Sequence, residues 1–112
     1  MMLRRALFAL LLFAPGAVLA HDYPTVDRVQ FVLECMKNHE GKYEYIYKCS
    51  CMIDAIAKAM PYDTFVEASS IARYAGMGGE RMGVFRDSDE VRALAKKWKA
   101  VEADAKKECL VE

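Results

Sequence analysis

Four cysteines that follow an export-like N-terminal segment constrain the fold of this 112-residue chain more than any other feature. They are Cys35, Cys49, Cys51 and Cys109. Small exported domains use disulfides to supplement a small core, because their surface is large relative to their volume. The sequence therefore predicts a disulfide-stapled domain that is periplasmic or secreted.

The first twenty residues have the order of a cleavable signal peptide. Arg4 and Arg5 form a basic head, residues 6–13 are apolar, and Val18-Leu19-Ala20 offers the small residues that a signal peptidase reads. The apolar stretch is shorter than the roughly 20 residues that a transmembrane helix needs. We therefore expect a signal peptide over residues 1–20, a single domain over residues 21–112, and no membrane span in the mature chain.

The charge of that mature domain is close to neutral. Removal of Arg4 and Arg5 leaves 14 of the 16 basic residues against all 16 acidic ones, a formal charge of −2. Such a domain presents no excess of positive charge to a phosphate backbone. The sequence therefore predicts no binding of nucleic acid.

Apolar residues recur at helical spacing in four segments, so the predicted fold is an all-α, small four-helix domain stapled by two disulfides. The first helix is expected to begin with Thr25 as its cap, the second near Tyr43, the third after Asp63 as its cap, and the fourth behind a capping box at 87–90. The positions expected to face the core are Val29, Val32, Leu33 and Met36; Ile46, Cys49, Ile53, Ile56 or Ala57, and Met60; Phe65, Ala68, Ile71 and Ala72; and Val91, Leu94, Ala95, Trp98, Val101, Ala105 and Cys109.

Three pairings of four cysteines are possible, and the helix arrangement favours one of them. A short turn joins the first two helices, which should therefore be antiparallel neighbours with Cys35 near the level of Cys49. Cys49 and Cys51 point about 200° apart around their helix and so can reach different neighbours. We expect Cys35 to pair with Cys49, and Cys51 with Cys109.

Two alternatives would give the chain a metal, in each case copper. As free thiols, Cys49 and Cys51 together with Met52 could bind Cu(I), which prefers thiolate and thioether ligands. After cleavage at Ala20, the new amine and the imidazole of His21 could chelate Cu(II), with His39 as a further ligand. We expect no cofactor, and keep a copper-binding accessory protein as an alternative function.

The segment 76–86 is rich in glycine and methionine and is predicted to be a loop. Long irregular segments in small domains are often functional, and flexible methionine-rich surfaces suit binding to other proteins. The leading hypothesis is therefore a non-enzymatic protein-binding module that contacts its partner through this loop. The predicted contact residues are Met77, Arg81, Met82, Phe85 and Arg86.

No arrangement of residue types predicts catalysis. The chain has two histidines, and no serine lies in a GxSxG motif. Asp54 would lie near the edge of the core, where it would need Arg28, Arg73 or a tyrosine hydroxyl as partner, and we expect it to form a structural ion pair. The protein is expected not to be an enzyme.

The segment from Cys49 to Asp54 on a helix, a following amphipathic helix and a terminal Cys109 resemble the small helical periplasmic immunity proteins of type VI secretion systems. The chain departs from that family in lacking further cysteine and proline signals between the second and third helices. The resemblance implies an immunity-type protein as a further alternative function, and it transfers no functional residues.

Overall fold

The structure, a computed structural model, describes residues 22–75 and 88–112. These residues form four helices and no strand: α1 (Thr25–Lys37), α2 (Glu44–Ala59), α3 (Tyr62–Ala75) and α4 (Asp89–Glu108). The predicted all-α fold is confirmed. The predicted signal peptide, residues 1–20, and the predicted loop, residues 76–86, lie outside the described residues.

Prolines, and not side-chain caps, precede α1 and α3. Pro24 occupies the cap position of α1, and its carbonyl accepts bonds from the backbone N–H groups of Asp27 and Arg28. The carbonyl of Pro61 likewise accepts a bond from Phe65. The predicted caps at Thr25 and Asp63 were wrong, because the fixed φ of proline already directs the chain into each helix one or two residues earlier.

A tight turn makes α1 and α2 antiparallel neighbours. The N–H of Gly41 bonds to the carbonyl of Met36 at 2.9 Å, and Gly41 has a φ of +67°, which a glycine adopts without steric cost. The same register brings Arg28 to Asp54, with 2.9 Å between Nη1 and Oδ1. The two helices therefore lie side by side along almost the whole length of α1.

The core lies where α2, α3 and α4 meet, and α2 is its central element. Burial of each large apolar side chain contributes about 1.5–3 kcal/mol. Aromatic rings connect the helices, with 5.8 Å between the ring centroids of Phe65 and Trp98. The core consists of Met52, Ile53, Ile56 and Ala57 from α2, Phe65 and Ala68 from α3, Trp98 and Ala105 from α4, and Tyr23, Met60, Cys109 and Val111 from outside the helices.

Tyr23 anchors the segment before α1 in this core. Its ring is 4% exposed and lies 4.8 Å from that of Phe65. Its hydroxyl donates a hydrogen bond to the backbone carbonyl of Met60 at 2.8 Å. Because Met60 is the residue that caps the C-terminus of α2, this bond satisfies a carbonyl that has no partner within the helix.

Two disulfides staple the helices, with the predicted pairing. Cys35 of α1 is bonded to Cys49 of α2, and Cys51 of α2 is bonded to Cys109 at the end of α4. In the chain-entropy model these loops contribute about 3 and 4 kcal/mol. No helix in the described part of the chain is both long enough and apolar enough to cross a membrane.

The face of α1 that meets the core differs from the predicted one. Phe31, Val32 and Cys35 pack against the core, whereas Val29 and Leu33 are 50% and 60% exposed. The Cys35–Cys49 disulfide and the Arg28–Asp54 contact hold α1 in this rotation. The prediction that Val29 and Leu33 face the core was therefore wrong, as was that for Ala72 on α3, which is exposed.

Candidate functional site

Among the described residues, five of the eight exposed large apolar side chains lie on α1 and around the start of α2. Val26, Val29 and Leu33 recur at a spacing of three and four residues, so they form one ridge along α1. Tyr47 precedes Ser50 by three residues, so it lies on the side of α2 that carries this groove-lining serine. Tyr43, the residue before α2, packs against Tyr47. We call these five side chains, which are 50–71% exposed, the α1–α2 surface.

A groove of about 310 Å³ runs between the two helices beside this ridge. Val29, Val32 and Leu33 line one wall, and Ser50 and Ile53 line the other. The Ser50 hydroxyl donates to the carbonyl of Ile46 at 2.5 Å, so it directs no donor into the groove. The groove is thus an apolar depression next to an apolar ridge.

The charges at this surface compensate each other within the chain. Arg28 and Asp54 line one end of the groove and form the predicted ion pair. The predicted place of Asp54 near the edge of the core was wrong, because its side chain is 67% exposed. Tyr43 and Tyr47 pack edge to face, with 6.0 Å between ring centroids, which leaves their remaining ring surface available. An uncharged surface of aliphatic and aromatic side chains is typical of protein-binding sites.

A second depression, of about 510 Å³, lies between α1 and α3. Phe31, Phe65 and Trp98 are among the residues that line it. Two polar contacts connect its walls: the Tyr62 hydroxyl donates to Asp27 at 2.5 Å, and Arg73 donates to Glu34 at 3.0 Å. In the described residues no buried side-chain polar atom lacks a hydrogen-bond partner, so nothing in this cleft requires a ligand.

The Tyr62–Asp27 bond also affects the ionisation of the tyrosine. The hydrogen bond that Tyr62 donates to the Asp27 carboxylate raises the pKa of its hydroxyl, and burial and the negative charges of Asp27 and Asp63 act in the same direction. At neutral pH the hydroxyl therefore remains a donor. This bond holds the start of α3 against α1 and does not prepare a reactive group.

The predicted copper ligands are not brought together in the described part of the chain. All four cysteines are in disulfides, so Cys49 and Cys51 offer no thiolate in this structure. His39 stacks on Tyr45 with 4.1 Å between ring centroids, and His21 lies outside the described residues. Among the described residues no three His, Cys, Asp or Glu side chains come together as a metal site.

The α1–α2 surface was not among the sites predicted from the sequence. The predicted contact residues of the loop, from Met77 to Arg86, lie outside the described residues and stay a prediction. A signal for the surface was present in α1, where apolar side chains occur on more of the helix circumference than one core-facing stripe requires. Such an excess indicates a helix with two apolar neighbours.

Comparison with known proteins gives no relative on which to base a function. No protein-family model, no curated protein and no solved structure matches the chain.

Proposed function

We propose that this chain is a small exported, non-enzymatic protein that binds another protein through the α1–α2 surface. The observation that carries the proposal is the exposed ridge of Val26, Val29 and Leu33 beside an apolar groove. Exposed apolar side chains cost solubility, and a contiguous group of them marks an interaction site. The two disulfides support an oxidising compartment, because disulfides are rare in a reducing cytosol.

The size of the surface also supports protein binding over binding of a small molecule. Five side chains that are 50–71% exposed present on the order of 500 Å² of largely apolar area. This is near the upper end of the largest patch found on a typical monomer. The charged residues among those that line the groove, Arg28 and Asp54, are paired with each other and so are not free to bind a charged small molecule.

Site-specific photo-crosslinking in the cells that naturally produce the protein tests this proposal. A photoreactive amino acid replaces Leu33 in the ridge or, as a matched control, the exposed Lys97 on α4. We expect a discrete adduct from position 33 that is absent from position 97 and is lost when Val29→Ser is added.

The same adducts from both positions, or none from position 33, would overturn the proposal. Circular dichroism and a count of free thiols on each variant show whether it has folded, since a folded chain has both disulfides. Identification of the adduct by mass spectrometry then gives the partner.

A further inference from the structure

We propose that the protein bound at the α1–α2 surface is a second copy of this chain, paired through an antiparallel contact between the two α1 helices. The inference rests on the proposed function and assigns its partner. It follows from the order of apolar and charged residues along α1, from the area of the surface, and from the shape of the groove beside the ridge.

The apolar ridge has a register that pairs with itself. Val26, Val29 and Leu33 follow the three-and-four spacing that packs one helix against another. When two α1 helices run antiparallel with Leu33 of each copy opposite Val26 of the other, Val29 of both copies lies next to the two-fold axis. Each apolar contact then occurs twice, as in any two-fold interface.

The same register matches the charges at the two ends of α1. It brings the exposed Lys37, the last residue of the helix, close to the exposed Asp22 of the second copy, which lies just before Pro24. Two such pairs form, one on each side of the axis. A parallel arrangement would instead bring Lys37 next to Lys37 and Asp22 next to Asp22, so charge favours the antiparallel one.

The shape of the surface is self-complementary in this arrangement. On each copy the ridge of α1 lies beside the groove between α1 and α2, whose volume is about 310 Å³. The α1 helix of a second copy that crosses at Val29 can place its ridge in the groove of the first copy. The groove of the second copy then receives the ridge of the first copy. The paired Arg28 and Asp54 stay at the groove's edge and add no net charge to the contact.

The area predicts a weak dimer. The α1 ridges of two copies, three side chains each at 50–62% exposure, contribute roughly 600 Å² together, which is well below the roughly 1,600 Å² of a standard interface and in the range of weak, transient contacts. The formal charge of −2 on residues 21–112 gives little repulsion between copies. We therefore expect association no tighter than the high micromolar range, within the concentrations that sedimentation equilibrium covers.

Sedimentation equilibrium of the exported protein, purified with both disulfides intact, tests the inference over micromolar to millimolar concentrations. We expect a reversible monomer–dimer equilibrium. Leu33→Ser should raise the dissociation constant at least tenfold, because it removes the apolar contact at both ends of the ridge. Lys99→Asp, a charge reversal on the exposed face of α4, should leave the constant unchanged and is the matched control.

A charge swap tests the register itself. Lys37→Asp and Asp22→Lys should each raise the dissociation constant several-fold, because each places like charges together. The double variant restores both pairs with reversed sign and should return to within about twofold of the original constant. A double variant that is weaker than either single one would overturn the antiparallel register.

The two proposals can fail separately. A chain that stays monomeric at every concentration overturns the dimer, and a position-33 adduct with a different protein would then still support the proposed function. A position-33 adduct with the mass of two chains supports the dimer. Absence of any adduct specific to position 33 removes the proposed function.

Discussion

Removal of one buried hydroxyl, in Tyr23→Phe, should measurably destabilise the fold. The hydroxyl is the hydrogen-bond donor for the carbonyl of Met60, at 2.8 Å and in a buried setting. Loss of an average hydrogen bond costs about 0.5–1.5 kcal/mol, and leaving a buried carbonyl unpaired costs about 1–3 kcal/mol. The phenylalanine retains the ring contacts with Phe65, so we expect a total loss of about 1–2 kcal/mol.

Urea unfolding at pH 7, followed by far-UV circular dichroism, measures this difference in the free energy of unfolding. Tyr47→Phe is the matched control, because Tyr47 is 66% exposed and its hydroxyl can be solvated by water. It should change the free energy of unfolding by less than about 0.5 kcal/mol. A Tyr23→Phe variant that is as stable as the control would refute the reasoning.

The same hydroxyl predicts a loss of stability at high pH. Burial raises the pKa of Tyr23 from 10.0 to about 12, against the opposing effect of the nearby Arg28 charge. Between these values the unfolded chain releases the proton while the folded chain retains it, so the unfolded state binds fewer protons. The stabilisation is fully present below pH 10 and falls as pH rises toward 12, by up to about 1.4 kcal/mol per pH unit.

Phenylalanine has no proton to lose. The difference in the free energy of unfolding between the unaltered chain and Tyr23→Phe should therefore be constant from pH 7 to 9 and should shrink from pH 10 upward. Unfolding curves for both proteins at matched pH give this difference directly. A difference in the free energy of unfolding that stays constant up to pH 11 would show that folding does not protect the hydroxyl from ionisation.

Three further changes have expected costs in urea unfolding. Ile56→Ala, at a fully buried position, should cost about 2–5 kcal/mol, and a loss below 1 kcal/mol would mean that the neighbouring helices close the cavity. Replacing both cysteines of the Cys51–Cys109 disulfide by alanine should cost about 4 kcal/mol, and replacing both cysteines of the Cys35–Cys49 disulfide about 3 kcal/mol, because the sequence separations are 58 and 14. A larger loss for the Cys35–Cys49 disulfide would contradict the dependence of the stabilisation on loop length. Asp54→Asn should cost less than 1 kcal/mol, because solvent screens the ion pair between Arg28 and the exposed Asp54 carboxylate. A larger loss would show that this ion pair stabilises the fold more than a surface ion pair does.

The sequence predicted the helices and the disulfide pairing because both depend on local geometry. In α4 the apolar stripe repeats through five turns, and Trp98 and Ala105 are buried where the period places them. The pairing of Cys35 with Cys49 followed from the short turn between α1 and α2, which favours an antiparallel arrangement of the two helices. These inferences need only residue spacing and chain length.

The rotation of α1 could not be predicted in this way. Its apolar residues fall on two neighbouring arcs, one with Phe31 and Cys35 and the other with Val29 and Leu33, and either could have met the core. The choice depends on contacts with distant residues, since Cys49 fixes one arc through a disulfide and Phe65 receives Phe31 at 6.5 Å between ring centroids. Periodicity within one helix holds no information about such partners.

The staples explain why this small fold tolerates an exposed apolar face. Together the two disulfides contribute about 7 kcal/mol in the chain-entropy model, a large part of the 5–15 kcal/mol that stabilises a typical domain. With this contribution to stability, α1 needs to bury only one of its two apolar arcs. The arc with Val29 and Leu33 adds little to the free energy of unfolding of the single chain, because these side chains are half or more exposed. Substitutions in that arc should therefore change the binding that we propose for the α1–α2 surface while having little effect on folding.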